Sequence, residues 1–184
     1  SCFAFGGGIL IYSWLLEILQ TEYEPVRRMK ESDRGGVYLI RHRTDGKPLV
    51  LRHFTGNAEV YQKLLHYTCS NLPVTLEVAS QGEEHLILEE YIQGDTLDFL
   101  LKDTLFTAKE TRKIVTQVCR ALWVLHSLGA VHRDVKPDNI ILRGDEAVLI
   151  DFDAARLYKP EEATDTQILG TTGFAAPEQY GLSQ

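Results

Sequence analysis

The sequence predicts an α+β chain of two lobes, the first of strands with one helix and the second helical. Three observations carry this. Short apolar runs punctuated by turn residues fill roughly residues 22–91. From Thr107 onward the apolar spacing lengthens to that of a helix. Between the two patterns, residues 91–94 end in Gly94 and read as a hinge, and clefts between lobes are where ligands bind.

The first element needs separate treatment. Residues 1–16 carry no charge and include Gly6-Gly7-Gly8 ahead of an apolar run that Glu17 interrupts. The run is shorter than the ~20 residues that cross a bilayer as a helix. It lacks the basic start and small-residue cleavage site of a secretory signal. An amphipathic or buried helix near residues 9–20 is expected, with membrane-proximal anchoring as the alternative. Residues 1–21 are therefore set apart as a leader or N-terminal helix.

From Val26 the strand signals begin. Val37-Tyr38-Leu39-Ile40 and Leu49-Val50-Leu51 flank Thr44-Asp45-Gly46-Lys47, and Asp-Gly between apolar runs is a strong hairpin signal. Residues 57–67 read as a short helix, with Val60, Leu64 and Tyr67 on one face. Residues 72–78 and 85–88 form a further strand pair around Gln81-Gly82-Glu83-Glu84. Five strands and one helix make up the first lobe, residues 22–91. In the second lobe, residues 92–184, Thr107 and Glu110 form a capping box in which each side chain satisfies an orphan backbone donor. Ile114, Val118, Ala121, Leu122 and Leu125 follow as one apolar face of a long helix, with Cys119 expected in the core. Gly129 stops it, because glycine tolerates the left-handed conformation that ends helices. Ala147-Val148-Leu149-Ile150 is a short strand.

Composition narrows the function. The 184 residues carry a formal net charge of −7, a poor match to nucleic acid, whose binding depends on clustered cations. Hydrophobic residues at 44% and charged residues at 24% are ordinary globular values, which excludes whole-chain disorder. Cys2, Cys69 and Cys119 form no C-x-x-C pair, so neither a disulfide framework nor a zinc site is expected, and a cytoplasmic, reducing setting suits the chain.

The chemistry concentrates in one segment, Val131-His132-Arg133-Asp134-Val135-Lys136-Pro137-Asp138-Asn139-Ile140-Ile141-Leu142. Asp151 follows in Ile150-Asp151-Phe152-Asp153, and Ala176-Pro177-Glu178 lies beyond it. Phosphoryl transfer needs such a set: a carboxylate facing the attacking hydroxyl, oxygen ligands for Mg²⁺, and a cation offsetting the charge of the transferred group.

In that order and spacing, the H-R-D-x-K-P-x-N loop, the D-F-x element and A-P-E resemble a eukaryotic-type serine/threonine protein kinase domain, of the Hanks type also found in bacteria, over residues 22–182. The resemblance implies a bilobal kinase fold with an incomplete helical C-lobe, ATP and Mg²⁺ as cofactors, and a protein substrate presenting Ser or Thr. It implies that Asp134 orients the substrate hydroxyl and takes its proton, and that Lys136 neutralises the γ-phosphate and marks Ser/Thr specificity. Asn139 and Asp151 match the magnesium ligands. Thr171 matches the threonine supporting the catalytic aspartate, and Arg133 the arginine that receives an activation-segment phosphate, for which Thr164, Thr166 and Thr172 are candidates. Around the nucleotide, Gly35 matches the third glycine of the phosphate loop. Glu90 and Ile92 match the hinge contacts to adenine through their backbone, Val37, Val50 and Ile141 its apolar walls, and Glu59 the glutamate that positions the strand cation. His132 and Glu178 are read as structural supports.

Four departures from the family pattern bear on activity. Ser32 and Lys30 stand where the second and first loop glycines belong, loosening the lid over the phosphates. The strand lysine is Arg52, still cationic but bulkier and forked, and Lys30 is a second candidate for that cation. The third residue of D-F-G is Asp153. The residue before the hinge, normally apolar, is Glu89, whose charge requires a partner or water. The sequence also ends at Gln184, so the expectation is that a longer chain or a partner covers the base of the C-lobe. Two further readings compete: a pseudokinase scaffold, and a small-molecule phosphotransferase of related fold, which Lys136 and A-P-E oppose.

Overall fold

Alternating side chains and tight turns build the first sheet, and the computed structural model describes this chain over residues 8–159. The described residues divide into two compact units. One comprises residues up to Tyr67 together with Val74–Tyr91, the other Thr68–Pro73 together with residues from Ile92 onward.

The first unit opens with helix α1 (Gly8–Glu22), followed by strands β1 (Tyr23–Ser32), β2 (Gly35–His42) and β3 (Pro48–Thr55), helix α2 (Glu59–Leu64), and strands β4 (Thr75–Gln81) and β5 (Glu84–Glu90). The five strands form one antiparallel sheet in the order β1-β2-β3-β5-β4, matching the expected strand count. At the β2–β3 turn, Gly46 adopts φ 72 and Asp45 Oδ1 accepts from the Lys47 N–H at 3.0 Å, the geometry that Asp-Gly favours. Gly82 turns β4 into β5 at φ 61.

One sheet face presents Ile40, Ala79, Leu86 and Leu88, and Tyr12 and Leu15 of α1 bury against them. The first helix therefore belongs to this core. The Tyr12 hydroxyl donates to Glu84 Oε2 at 3.2 Å, and burial, reinforced by that carboxylate, pushes the phenol pKa up. No helix among the described residues is long and apolar enough to cross a membrane. On the opposite face, Phe54 of β3 meets Tyr61 of α2 with ring centroids 5.8 Å apart. Helix α2 is shorter than the spacing suggested. Beyond Leu64 the chain bridges Leu65 to Thr75, and His66 adopts φ 60, so the backbone leaves the helix before Tyr67.

The second unit contains β6 (Asp95–Thr96), α3 (Leu97–Leu101), α4 (Ala108–Ser127), β7 (Ala130–Val131), a 3-10 turn (Pro137–Asn139), β8 (Ile140–Arg143), β9 (Glu146–Leu149) and β10 (Arg156–Leu157). The capping box at Thr107 and Glu110 is present in both directions, and this exposed carboxyl titrates below its usual range because it accepts the Thr107 backbone N–H. Gln117, Val118, Ala121, Val124 and Leu125 form the buried stripe of α4. Cys119 is exposed, a correction to its expected place in the core: it follows Val118 by one residue and so turns off that stripe, beside exposed Val115 and Trp123. Gly129 follows the helix at φ 77. Asn71 ties the short segment 68–73 into this unit: its Nδ2 donates to Ala147 O and its carbonyl accepts from Leu149 N, both at 2.9 Å.

Candidate active site

In the second unit, the loop between β7 and β8 carries the chemistry. Lys136 is extended (φ −157, ψ 165), as the residue before a proline tends to be, and Pro137 opens the 3-10 turn that the Asn139 N–H closes onto Lys136 O at 3.0 Å. This turn carries Asn139 back toward Asp134. The Asn139 side chain is buried, and its Nδ2 donates to Asp134 O at 2.9 Å and to Asp134 Oδ2 at 3.1 Å. With Nδ2 committed there, the amide orientation is set and Oδ1 is the remaining acceptor. Lys136 Nζ stands 3.5 Å from Asp134 Oδ2. Asp134, Lys136 and Asn139 thus sit together as the sequence suggested.

Asp151 joins them through the backbone. The Ile150 N–H donates to Asn139 O at 2.8 Å, which sets Asp151 one residue beyond the Asn139 contact. Asp151 is 6% exposed, and its Oδ1 accepts from the Asp153 N–H at 3.2 Å. The Asp153 backbone therefore serves the turn whatever its side chain. Arg133 and Asp151 both hold positive φ, 71 and 64. For residues with a Cβ this costs roughly 1–3 kcal/mol, a strain that concentrates where geometry is dictated by function.

His132 explains how these strained residues are held. It is 1% exposed; Nδ1 accepts from the Asp134 N–H at 3.2 Å, so the proton sits on Nε2, which donates to Ile150 O at 3.0 Å. One neutral imidazole thereby bridges the loop and the Asp151 segment. Burial pushes its pKa below 6.5, against the opposing pull of the Ile150 carbonyl and the nearby carboxylates. The Phe152 ring, 1% exposed, packs edge-on against it at 5.6 Å. The support role expected of His132 matches these contacts.

The donor set suits a hard divalent cation. Asn139 Oδ1 and the Asp151 carboxylate offer oxygen donors, and Mg²⁺ characteristically takes one or two carboxylates, completing its shell with phosphates and water. No group of three or more His, Cys, Asp or Glu side chains among the described residues forms an all-protein cage. Thr171, Glu178 and the threonines at 164, 166 and 172 lie outside the described residues.

In the first unit, Gly35, Val37, Val50 and Arg52 occupy adjoining positions of β2 and β3, with Val37 opposite Arg52 and Gly35 opposite Phe54. Gly35 has φ 152, and a Cβ there would stand 1.9 Å from His53 O. Glycine is required for strand contact, independent of any phosphate. Glu59 starts α2 half-buried, its N–H donating to Asn57 Oδ1 at 2.8 Å. Glu90 closes β5; its N–H donates to Val74 O at 2.9 Å and its Oε2 accepts from Val74 N at 3.2 Å. Ile92 and Ile141 belong to the second unit, buried together with Val148. Lys30 lies exposed on β1 opposite Val37.

Sequence reasoning did not join Arg52 to Glu89. The two are buried, with side-chain exposures of 7% and 2%, and Arg52 Nε pairs with Glu89 Oε1. The partner that Glu89 required is the residue standing in the strand-lysine position. The available signal was two charges, Arg52 after Leu49-Val50-Leu51 and Glu89 after Leu86-Ile87-Leu88, each following an apolar run on strands that become neighbours.

The family model described as "Protein kinase domain" matches residues 25–183. Serine/threonine-protein kinase D of Synechocystis sp. is 32% identical over 139 residues, covering 71% of this chain and 27% of that protein. Serine/threonine-protein kinase PknA of Nostoc sp. is 31% identical over 140 residues, covering 71% of this chain and 25% of its own length. The probable serine/threonine-protein kinase RTK1 of Saccharomyces cerevisiae is 28% identical over 187 residues, covering 89% and 30%. The chain thus spans under a third of the length of these relatives.

Proposed function

The chain belongs to the protein kinase family, and from that premise we propose that it transfers the γ-phosphoryl group of ATP to Ser or Thr hydroxyls of a protein substrate. The observation that carries the reading is the joined set Asp134, Lys136 and Asn139, with Asp151 beside it through Ile150. Asp134 accepts the proton of the attacking hydroxyl as its oxygen bonds to the γ-phosphorus. The bond from that phosphorus to the β–γ bridging oxygen breaks, and ADP leaves with the electron pair. The Lys136 ammonium offsets the negative charge of the moving phosphoryl group. Asn139 and Asp151 would hold Mg²⁺, which when bound neutralises the triphosphate. Asn139 has a second task, holding Asp134 in orientation through Nδ2. On the nucleotide side, this reading takes Arg52 as a cation for the phosphates and Val37 and Val50, on the same two strands, as apolar packing for the base.

The test uses the full-length protein with γ-labelled ATP and Mg²⁺, followed by phosphoamino-acid analysis. Asp134→Asn should reduce transfer about 10²–10⁴-fold while leaving the MgATP Kd within about threefold, the pattern of a lost general base. Transfer retained in that variant overturns the assignment. A second reading, a nucleotide-binding scaffold without transfer, draws on Arg52 and its engagement with Glu89. MgATP binding without label transfer by the wild-type protein selects it.

A further inference from the structure

We propose that Glu89 is the positioning residue for the nucleotide-binding cation, fixing the Arg52 guanidinium from the neighbouring strand of the same sheet; this rests on the nucleotide-site reading above. Val50 lies opposite Glu89 and Arg52 opposite Ile87, so Arg52 and Glu89 are diagonal neighbours on one sheet face, within reach of long side chains. Their cross-strand neighbours are buried and mostly apolar: Val37 and Val50 are 8% exposed, and Ile87 and the one polar neighbour, Thr75 opposite Glu89, are fully buried. Isolated charges there would be prohibitive, and even a paired set is commonly matched or surpassed in stability by apolar residues of similar volume. Sheet stability alone is therefore a weak reason for two charges at this place.

The chemistry of arginine supplies a better one. A guanidinium keeps its charge when buried, unlike an ammonium, whose pKa falls readily. It is also wide and planar, so its orientation decides whether it can meet phosphate oxygens in a fork. Glu89 engages it at Nε, the nitrogen at the root of the fork, which fixes the plane of the group. The two departures from the family pattern thus act as one device, an arginine cation with its brace supplied by β5.

The experiment is a binding cycle on the full-length protein with MgATP as the probe, read by isothermal calorimetry below the melting temperature of every variant. Glu89→Gln should weaken the Kd about tenfold or more, the worth of a buried charge-assisted hydrogen bond. In an Arg52→Met background, adding Glu89→Met should change the Kd less than about twofold, because Glu89 acts only through Arg52. The double variant removes both buried charges and should fold even where single variants do not. Glu89→Asp, which keeps the charge but withdraws it by one methylene, should weaken binding several-fold and serves if Glu89→Gln does not fold. A wild-type Kd unmoved by Glu89→Gln and Glu89→Asp, or a Glu89 effect that persists without Arg52, overturns the positioning role and leaves the nucleotide site standing. A wild-type protein that does not bind MgATP overturns the site itself and this role with it.

Discussion

Replacing Asn139 by aspartate sets a carboxylate where an amide now donates to Asp134. Asn139 Nδ2 lies 3.1 Å from Asp134 Oδ2. Two unit charges at that separation repel by about 5 kcal/mol at an effective dielectric near 20, and by about 1 kcal/mol in bulk water. The Asp134 side chain is 21% exposed and Lys136 Nζ stands 3.5 Å from the same oxygen, so the lower half of that range applies, about 2 kcal/mol. The cost should depend on pH. Acid protonates one of the two neighbouring carboxyls and removes the repulsion, whereas near neutral pH both are charged and the penalty is present. Asn139→Leu provides the control, since it loses the same hydrogen bond without adding charge. Urea unfolding in EDTA between pH 4 and pH 8 should show Asn139→Asp falling increasingly below Asn139→Leu toward neutral pH. Parallel pH curves for the two variants would refute the contact and the amide orientation built on it.

Three other outcomes follow from the same geometry. Gly35→Ala should lower stability by about 3 kcal/mol or more in urea unfolding, because its Cβ meets the His53 carbonyl at 1.9 Å and φ 152 is hostile to L side chains; a melting curve superimposing on wild type counts against it. His132 should be less than half protonated at pH 6.5 by NMR titration, where a free histidine is half protonated, because burial disfavours its charged form. Its folded pKa is depressed, so its contribution to stability is present above pH 6.5 and is lost as pH falls below it, and an imidazole titrating at or above 6.5 contradicts its burial. Asp134→Asn should separate transfer from nucleotide binding as described above.

Much of this was legible because it is local. The Asp45-Gly46 turn, the Thr107–Glu110 box and the Gly129 stop each depend on residues within a few positions, and each appears as expected. The loop motif placed Asp134, Lys136 and Asn139 together because one 3-10 turn after Pro137 joins them. What escaped depends on register or on helix rotation. Joining Arg52 to Glu89 required knowing that β3 pairs with β5 rather than β4, with Val50 opposite Glu89. Cys119 was misplaced by one step around α4, since spacing defines a stripe but tertiary packing selects its centre. The tie from Asn71 to Ala147 joins residues distant in sequence and carries no local signal.

The most direct measurement replaces Mg²⁺ with paramagnetic Mn²⁺ in the nucleotide complex of the isotopically labelled protein and maps the resonances it broadens. The expected result is selective loss of the Asn139 side-chain amide together with the backbone signals of Asp134, Ile150 and Asp151, in an ATP-dependent manner. Broadening confined to other acidic surfaces, with the Asn139 amide still sharp, would contradict the claim that this loop and the turn at Asp151 hold one metal–nucleotide.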